Sequence, residues 1–122
     1  MHTAYRVCMQ FSDYQKLAIT TDTFGGKPQP ITSTAFMSKL LGLVGESGEI
    51  AEKFKKIYRD DQGKLTAEQL KDIEKELGDV LWYINALCCY LGLQLEDVAE
   101  KNLDKVLDRK LRGVTHGSGD NR

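Results

Sequence analysis

The sequence is short of histidine, of excess charge and of long apolar runs, and each shortage narrows the chemistry. Only His2 and His116 are present, both near the ends. Neither completes the Glu-x-x-His motif with which carboxylate bundles hold iron or manganese. The three cysteines are Cys8, Cys88 and Cys89. An odd count, with an adjacent pair inside an apolar helical run, argues against a disulfide framework and against zinc, and fits a reducing, cytoplasmic setting. The vicinal pair reads as buried helix packing rather than a redox switch. Lysine plus arginine total 17 against 18 aspartate plus glutamate, so no global field recruits a nucleic-acid polymer or a membrane surface. No apolar run reaches bilayer-spanning length. No cationic segment leads into an apolar stretch at the N-terminus, so no signal peptide is expected. Strand-like alternation and solenoid-period repeats are also missing.

What is present is helical periodicity. The 122 residues fit one domain, 1–122. A first helix is expected from Met9 to about Thr23, with Phe11, Tyr14, Leu17 and Ala18 as its stripe. The breaker-rich Phe24–Pro30 then closes an N-terminal helix-and-linker unit, 1–30. Thr32, Ser33 or Thr34 caps a second helix that runs to about Tyr58 or Arg59 with Phe36, Leu40, Leu43, Val44, Ile50, Phe54 and Ile57 apolar. Asp60–Lys64 reads as a turn. Thr66 with Gln69 forms a capping box for a third helix, ending near Gly92, that carries Leu70, Ile73, Leu77, Val80, Leu81, Ile84 and Leu87. A fourth helix is expected over Leu95–Leu111 with Val98, Leu103, Val106, Leu107 and Leu111 inward. Gly113 stops it, and 113–122 is a polar, glycine-rich tail. The expectation is an all-α fold, a small antiparallel bundle of about four main helices, completed by oligomerisation because so small a helical domain gains burial by pairing.

Inside this pattern lie two acidic motifs, Glu46-Ser47-Gly48-Glu49 and Glu76-Leu77-Gly78-Asp79. Positions three apart are neighbours on a helix, so each motif sets two carboxylates side by side. Gly48 and Gly78 are positions where a neighbouring backbone is able to come close. Acids three apart are common on solvated helices. These two pairs differ in standing beside the apolar seam and at matched distances from the turn. Glu49 is about ten residues before the end of its helix and Glu76 about ten after the start of the next, so the antiparallel helices set the motifs face to face. Four gathered carboxylates repel unless a cation sits among them. All-oxygen ligation selects Mg²⁺, with Mn²⁺ as a substitute. Glu52 is read as flanking, solvated surface.

A polyphosphate needs positive partners. Lys53 follows Glu49 by four, on the same face, with Lys56 next. Lys101, Asn102 and Lys105 form a polar cluster on the fourth helix, and Asn102 both donates and accepts hydrogen bonds. Arg109, Lys110 and Arg112 precede the tail. They read either as complements of the helix dipole or as part of a flap closing over phosphates. For each lysine a solvated helix face is the competing reading.

The ordered set resembles the signature of the MazG-like, all-α nucleoside triphosphate pyrophosphohydrolases. Gly42–Glu52 and Glu76–Tyr83 match its Glu-x-x-Glu and Glu-x-x-Asp motifs, and Lys101-Asn102 with Lys105 is similar to its third. The resemblance runs from about Phe36 to Lys110. It implies hydrolysis between the α and β phosphates of a nucleoside triphosphate to a monophosphate and pyrophosphate, in nucleotide-pool housekeeping. It implies Mg²⁺ on Glu46, Glu49, Glu76 and Asp79. Glu49 and Glu46 are the candidates for positioning or deprotonating the attacking water, and the sequence does not choose between them. Lys53, Asn102, Lys105 and Arg109 would contact phosphate or sugar. Tyr14, Gln15 and Thr21 are nominated for a nucleobase pocket, although core packing is the default for Tyr14, and core or interface for Trp82. Homodimers or homotetramers are implied. A dUTP or dCTP pyrophosphatase is a narrower version of the same reading; phosphoribosyl-ATP pyrophosphohydrolase matches less well. The rival from another class is a non-catalytic nucleotide-binding or helical protein-interaction module.

Overall fold

The computed structural model describes residues 8–122, all of them in helices, turns and connecting chain. Helix α1 spans Phe11–Ala18 and passes into a 3-10 turn, Ile19–Thr21. Helix α2 spans Thr34–Asp60, α3 Ala67–Tyr90 and α4 Leu95–Leu111. The all-α expectation holds. Local chemistry sets the ends. Ser33 Oγ accepts from the Phe36 N–H at the start of α2, and Thr66 and Gln69 exchange hydrogen bonds at the start of α3. Such caps contribute about 1 kcal/mol each. The α2–α3 turn reverses through Gln62 (φ 56°) and Gly63 (φ 75°), and the Gly63 N–H returns to the Ile57 carbonyl.

The first helix is shorter than its periodicity suggests. The Gln10 N–H is taken by the Asp13 carboxylate, which starts α1 at Phe11. Beyond Ala18 the chain tightens, with Thr20 and Thr21 hydroxyls donating to the carbonyls three residues back. Its expected stripe is corrected as well. Phe11 and Leu17 are exposed, and the buried residue is Gln15. The Gln15 amide donates to the Leu93 carbonyl and accepts from the Leu95 N–H, both at 2.9 Å. It thereby ties α1 to the start of α4.

α2 and α3 form the main antiparallel pair, and α1 bridges α3 and α4. Among the described residues no substantial packing joins α4 to α2 or α3. The core of one chain is therefore small, built around Ala35, Ile57, Ile73, Ala86, Tyr90 and Leu95. The inward assignment of α4 is overturned for the single chain: Val98, Leu103, Val106 and Leu107 are exposed and Leu111 is 87% exposed. Leu40 and Val44 on α2 and Leu70 and Leu77 on α3 are exposed too. Periodicity identified apolar faces correctly, but a chain of this size has too few elements to cover them all.

The 3-10 turn and the following loop are fastened by a buried charge network. Lys39 of α2 lies 3.1 Å from Asp22, whose side chain is 0% exposed. The Tyr90 hydroxyl donates to Asp22 at 2.6 Å. The N–H groups of Phe24 and Gly26 also donate to it. The Lys39 ammonium faces the rings of Phe24, Tyr90 and Trp82 at 4.7, 5.4 and 5.7 Å, within cation–π range. Burial alone would raise the Asp22 carboxyl; the hydrogen bonds from Tyr90, Lys39, Phe24 and Gly26 outweigh it and hold the group below the ordinary carboxylate range. Burial, and then the bond to Asp22, pushes the Tyr90 phenol up. Lys39 falls between Phe36 and Leu43 on the apolar face, a spacing that signals a buried cation, but its partner is far away in sequence.

A candidate metal and nucleotide site

α2 and α3 bring the two acidic motifs together as their distances from the turn require. Oxygens of Glu46, Glu76 and Asp79 all lie within 4.8 Å of one another. Glu49 stays outside that triple and is exposed. One turn along, Lys53 of α2 reaches across to Glu76 at 3.7 Å, the contact expected of a lysine sharing the face of Glu46 and Glu49. Desolvation raises the Glu46 carboxyl. Its hydrogen bond with Glu76 and the negative charges of Asp79, Glu76 and Glu49 raise it further. The cluster is thus one of like charges in close approach, partly shielded from water and answered by one half-buried lysine. A hard divalent cation, which takes carboxylate oxygens, relieves that repulsion.

The glycines of the motifs do not serve the close approach expected of them. A Cβ on Gly48 or Gly78 would meet nothing within 4 Å. The tight crossing is one turn earlier, at Gly42, where a Cβ would overlap the Tyr83 ring. Tyr83 follows Asp79 by four on α3, so this crossing fixes the depth at which α3 presents its acids. Tyr83 is in turn held edge-on by Trp82, ring centroids 5.1 Å apart at 87°. The Trp82 Nε1–H donates to the Thr21 hydroxyl at 2.9 Å and to the Ala18 carbonyl at 3.2 Å. Thr21 and Trp82 together thus anchor the end of α1 beside the acidic pair.

Tyr14 comes from α1 to the same region. Burial, and secondly the charge of Asp79, pushes its phenol up. Tyr14 lines a 310 Å³ cavity with Met9, Gln10, Phe11, Leu81 and Glu96. Gln15, its neighbour, has both ends of its side-chain amide engaged by main-chain groups. Lys101, Asn102 and Lys105 line a separate 510 Å³ cavity with Gly92, Leu93, Gln94, Asp97 and Val98. Arg109 is buried beneath the tail, donating to Asp120. The structure therefore gathers Glu46, Glu76, Asp79 and Lys53 around one centre, with Tyr14 near enough to feel the Asp79 charge. It sets Asn102 and Lys105 on another, with Arg109 joined to Lys105 through Asp120, carried by a helix whose main packing among the described residues is on α1. Tyr83 lies in the Glu76–Tyr83 stretch, on the row of Glu76 and Asp79; its close crossing with Gly42 is the feature that the sequence does not announce.

Cys88 is buried and Cys89 half-buried, and all the cysteines of the described residues are free. No helix of the described residues is long and apolar enough to cross a membrane.

Comparison with known proteins places this arrangement. The Gene 37 protein of Mycobacterium phage L5 is 44% identical over 114 residues, covering 93% of this chain and 100% of that protein. No solved structure matches significantly. Residues 35–113, which carry both acidic motifs, the Gly42–Tyr83 crossing and the basic cluster of α4, match the MazG nucleotide pyrophosphohydrolase domain. The chain belongs to the MazG nucleotide pyrophosphohydrolase domain family.

Proposed function

We propose that the protein is a Mg²⁺-dependent nucleoside triphosphate pyrophosphohydrolase that cleaves between the α and β phosphates to give a monophosphate and pyrophosphate. The observation that carries this reading is the approach of three carboxylate oxygens, from two helices, within 4.8 Å. The donor set is all oxygen, and the Glu46 carboxyl is raised first by desolvation and then by its contact with Glu76 and the charges of Asp79, Glu76 and Glu49, the part that a cation relieves. Glu46, Glu76 and Asp79 would hold the metal, and Glu49, exposed one turn from Glu46, would join them through its flexible side chain. The metal, when bound, supplies Lewis-acid stabilisation of charge on the phosphates. Mn²⁺ is the expected substitute.

The chain's own groups do the rest. Lys53 is positioned to exchange its contact with Glu76 for a phosphate oxygen. Glu49 is the acid with the most freedom to orient water and take its proton. Tyr14 and its cavity offer an aromatic wall to a base. Asn102, Lys105 and Arg109 serve phosphate or sugar from α4. Because α4 stands apart from α2 and α3 within one chain, we assign completion of the site to a second copy. The exposed leucines and valines of α2 and α4 supply the apolar surface such a homodimer or homotetramer needs. Pool housekeeping, away from membranes, is the role that fits.

The test is a panel of ribo- and deoxynucleoside triphosphates, with and without Mg²⁺, with pyrophosphate and orthophosphate separated. Monophosphate and pyrophosphate formed only with metal is the expected result. A folded protein that binds nucleotides without turning any over would instead be the non-catalytic binding module. Light scattering on the same preparation should show a dimer or tetramer.

A further inference from the structure

The tail, 113–122, folds back along α4 instead of leaving it. Gly113, Gly117 and Gly119 sit at φ of 72°, 125° and 83°, conformations that side chains disfavour. The reversal is closed by Arg112, which donates to the Arg122 carbonyl at 2.8 Å, and by Arg122, which donates to the Gly119 and Thr115 carbonyls. The result carries Asp120 onto two cations. Its Oδ1 lies 3.1 Å from Arg109 Nη2 and 3.3 Å from Lys105 Nζ. Arg109 Nη2 also donates to the main-chain carbonyls of Asp120 and Gly119, at 2.9 and 3.4 Å. The Arg109 side chain is only 9% exposed, whereas that of Asp120 is 80% exposed. Arg109 Nε is buried and has no partner. A half-satisfied, buried guanidinium is thus covered by a solvated carboxylate, at the edge of the cavity that Lys105 lines with Lys101 and Asn102.

We infer that the tail is a tethered competitor for phosphate, with Asp120 standing where an anionic group of the ligand binds Lys105 and Arg109. The inference rests on the proposed assignment of those two residues to phosphate. A phosphate group carries more charge and more acceptor oxygens than one carboxylate, and so is able to satisfy the guanidinium more fully. The Asp120 carboxylate is solvent-exposed although Arg109 is not, and solvent on the carboxylate side screens and weakens the contact. The tail therefore lowers anion affinity by the fraction of time it is docked, without closing the site.

Calorimetric titration of inorganic pyrophosphate into the full chain, in metal-free buffer at low ionic strength, reads the competition directly. Asp120→Asn should bind pyrophosphate roughly 3- to 10-fold more tightly than the wild type. Gly119→Val, which keeps Asp120 but disfavours the backbone that docks it, should show the same gain. Glu100→Gln, an exposed acid on α4, removes equal charge and should change nothing. Unchanged affinity in Asp120→Asn and Gly119→Val, an equal gain in Glu100→Gln, or no pyrophosphate binding by any variant would each overturn the inference. Nucleotide turnover is measured separately. Turnover with unaltered pyrophosphate affinity sinks the tail alone, while a gain in affinity without turnover retains the competition and sinks the hydrolase.

Discussion

Two groups of charged residues lie on the α2–α3 pair, and they are built in opposite ways. At Asp22 a carboxylate without solvent exposure is met by Lys39, the Tyr90 hydroxyl and two backbone N–H groups, and it is held below its ordinary range. At Glu46 a carboxylate shares its space with Glu76 and Asp79, and it is held above its ordinary range. The first group is complete within the chain. It needs no ligand and serves to fasten the 3-10 turn against α2 and α3. The second sets like charges close together with Lys53 as a cationic neighbour, and in the proposed reading a metal ion completes it. Buried charge by itself does not mark a functional site; the proposed site is the one where the chain sets like charges together.

The comparison is broken most severely at Lys39. Lys39→Ala leaves Asp22 buried without its cation and should destabilise the fold by about 3–5 kcal/mol, read as a lower urea midpoint. On the other side, Asp79→Asn should leave the fold intact and reduce metal-dependent turnover by at least about a hundredfold, or about 2.7 kcal/mol in the barrier. A variant equally active at the same Mg²⁺ concentration would remove Asp79 from the site. Gly42→Ala tests the crossing that sets the depth of α3. Overlap with the Tyr83 ring should cost about 1–3 kcal/mol and lower turnover as well, because Asp79 moves with Tyr83.

The smallest effect has the most distinctive sign. Glu46→Gln should stabilise the metal-free protein by about 0.2–0.5 kcal/mol, the size of a relieved like-charge pair on a helix, while impairing activity. The two carboxyls also respond oppositely to acid. Glu46, raised in the folded state, makes the metal-free fold more stable as pH falls from neutrality through its folded value. Asp22, lowered in the folded state, contributes stability that is present above the unfolded value of about 3.9 and lost as pH falls through the folded one. Thermal melts against pH should therefore rise and then fall. Glu46→Gln should remove the rise, and Asp22→Asn should soften the fall.

The sequence exposed whatever is local. Thr66 and Gln69 announced the start of α3, and the matched distances of Glu49 and Glu76 from the turn announced that the two motifs face each other, although it is Glu46, not Glu49, that meets Glu76 and Asp79. Three things needed the third dimension. Periodicity showed that Leu103, Val106 and Leu107 share an apolar face but not that α4 would leave it uncovered. The glycines inside the acidic motifs drew attention because of their neighbours, while the close approach belonged to Gly42 and Tyr83. Asp22 and Lys39, like Gln15 and Leu95, pair across long sequence separations, and no spacing rule reaches that far. Glu49 is a subtler case: its place on the helix was legible, but the direction of its side chain, outside the triple, was not.

The central claim is that Glu46, Glu76 and Asp79 form a cation site, and Mn²⁺ binding followed by electron paramagnetic resonance tests it without reference to turnover. The wild-type protein should quench the free-ion signal in proportion to protein added, Mg²⁺ should restore it, and Asp79→Asn and Glu76→Gln should bind far more weakly. A folded wild-type protein that leaves the free Mn²⁺ signal unchanged, or variants that bind as tightly as the wild type, would contradict the account.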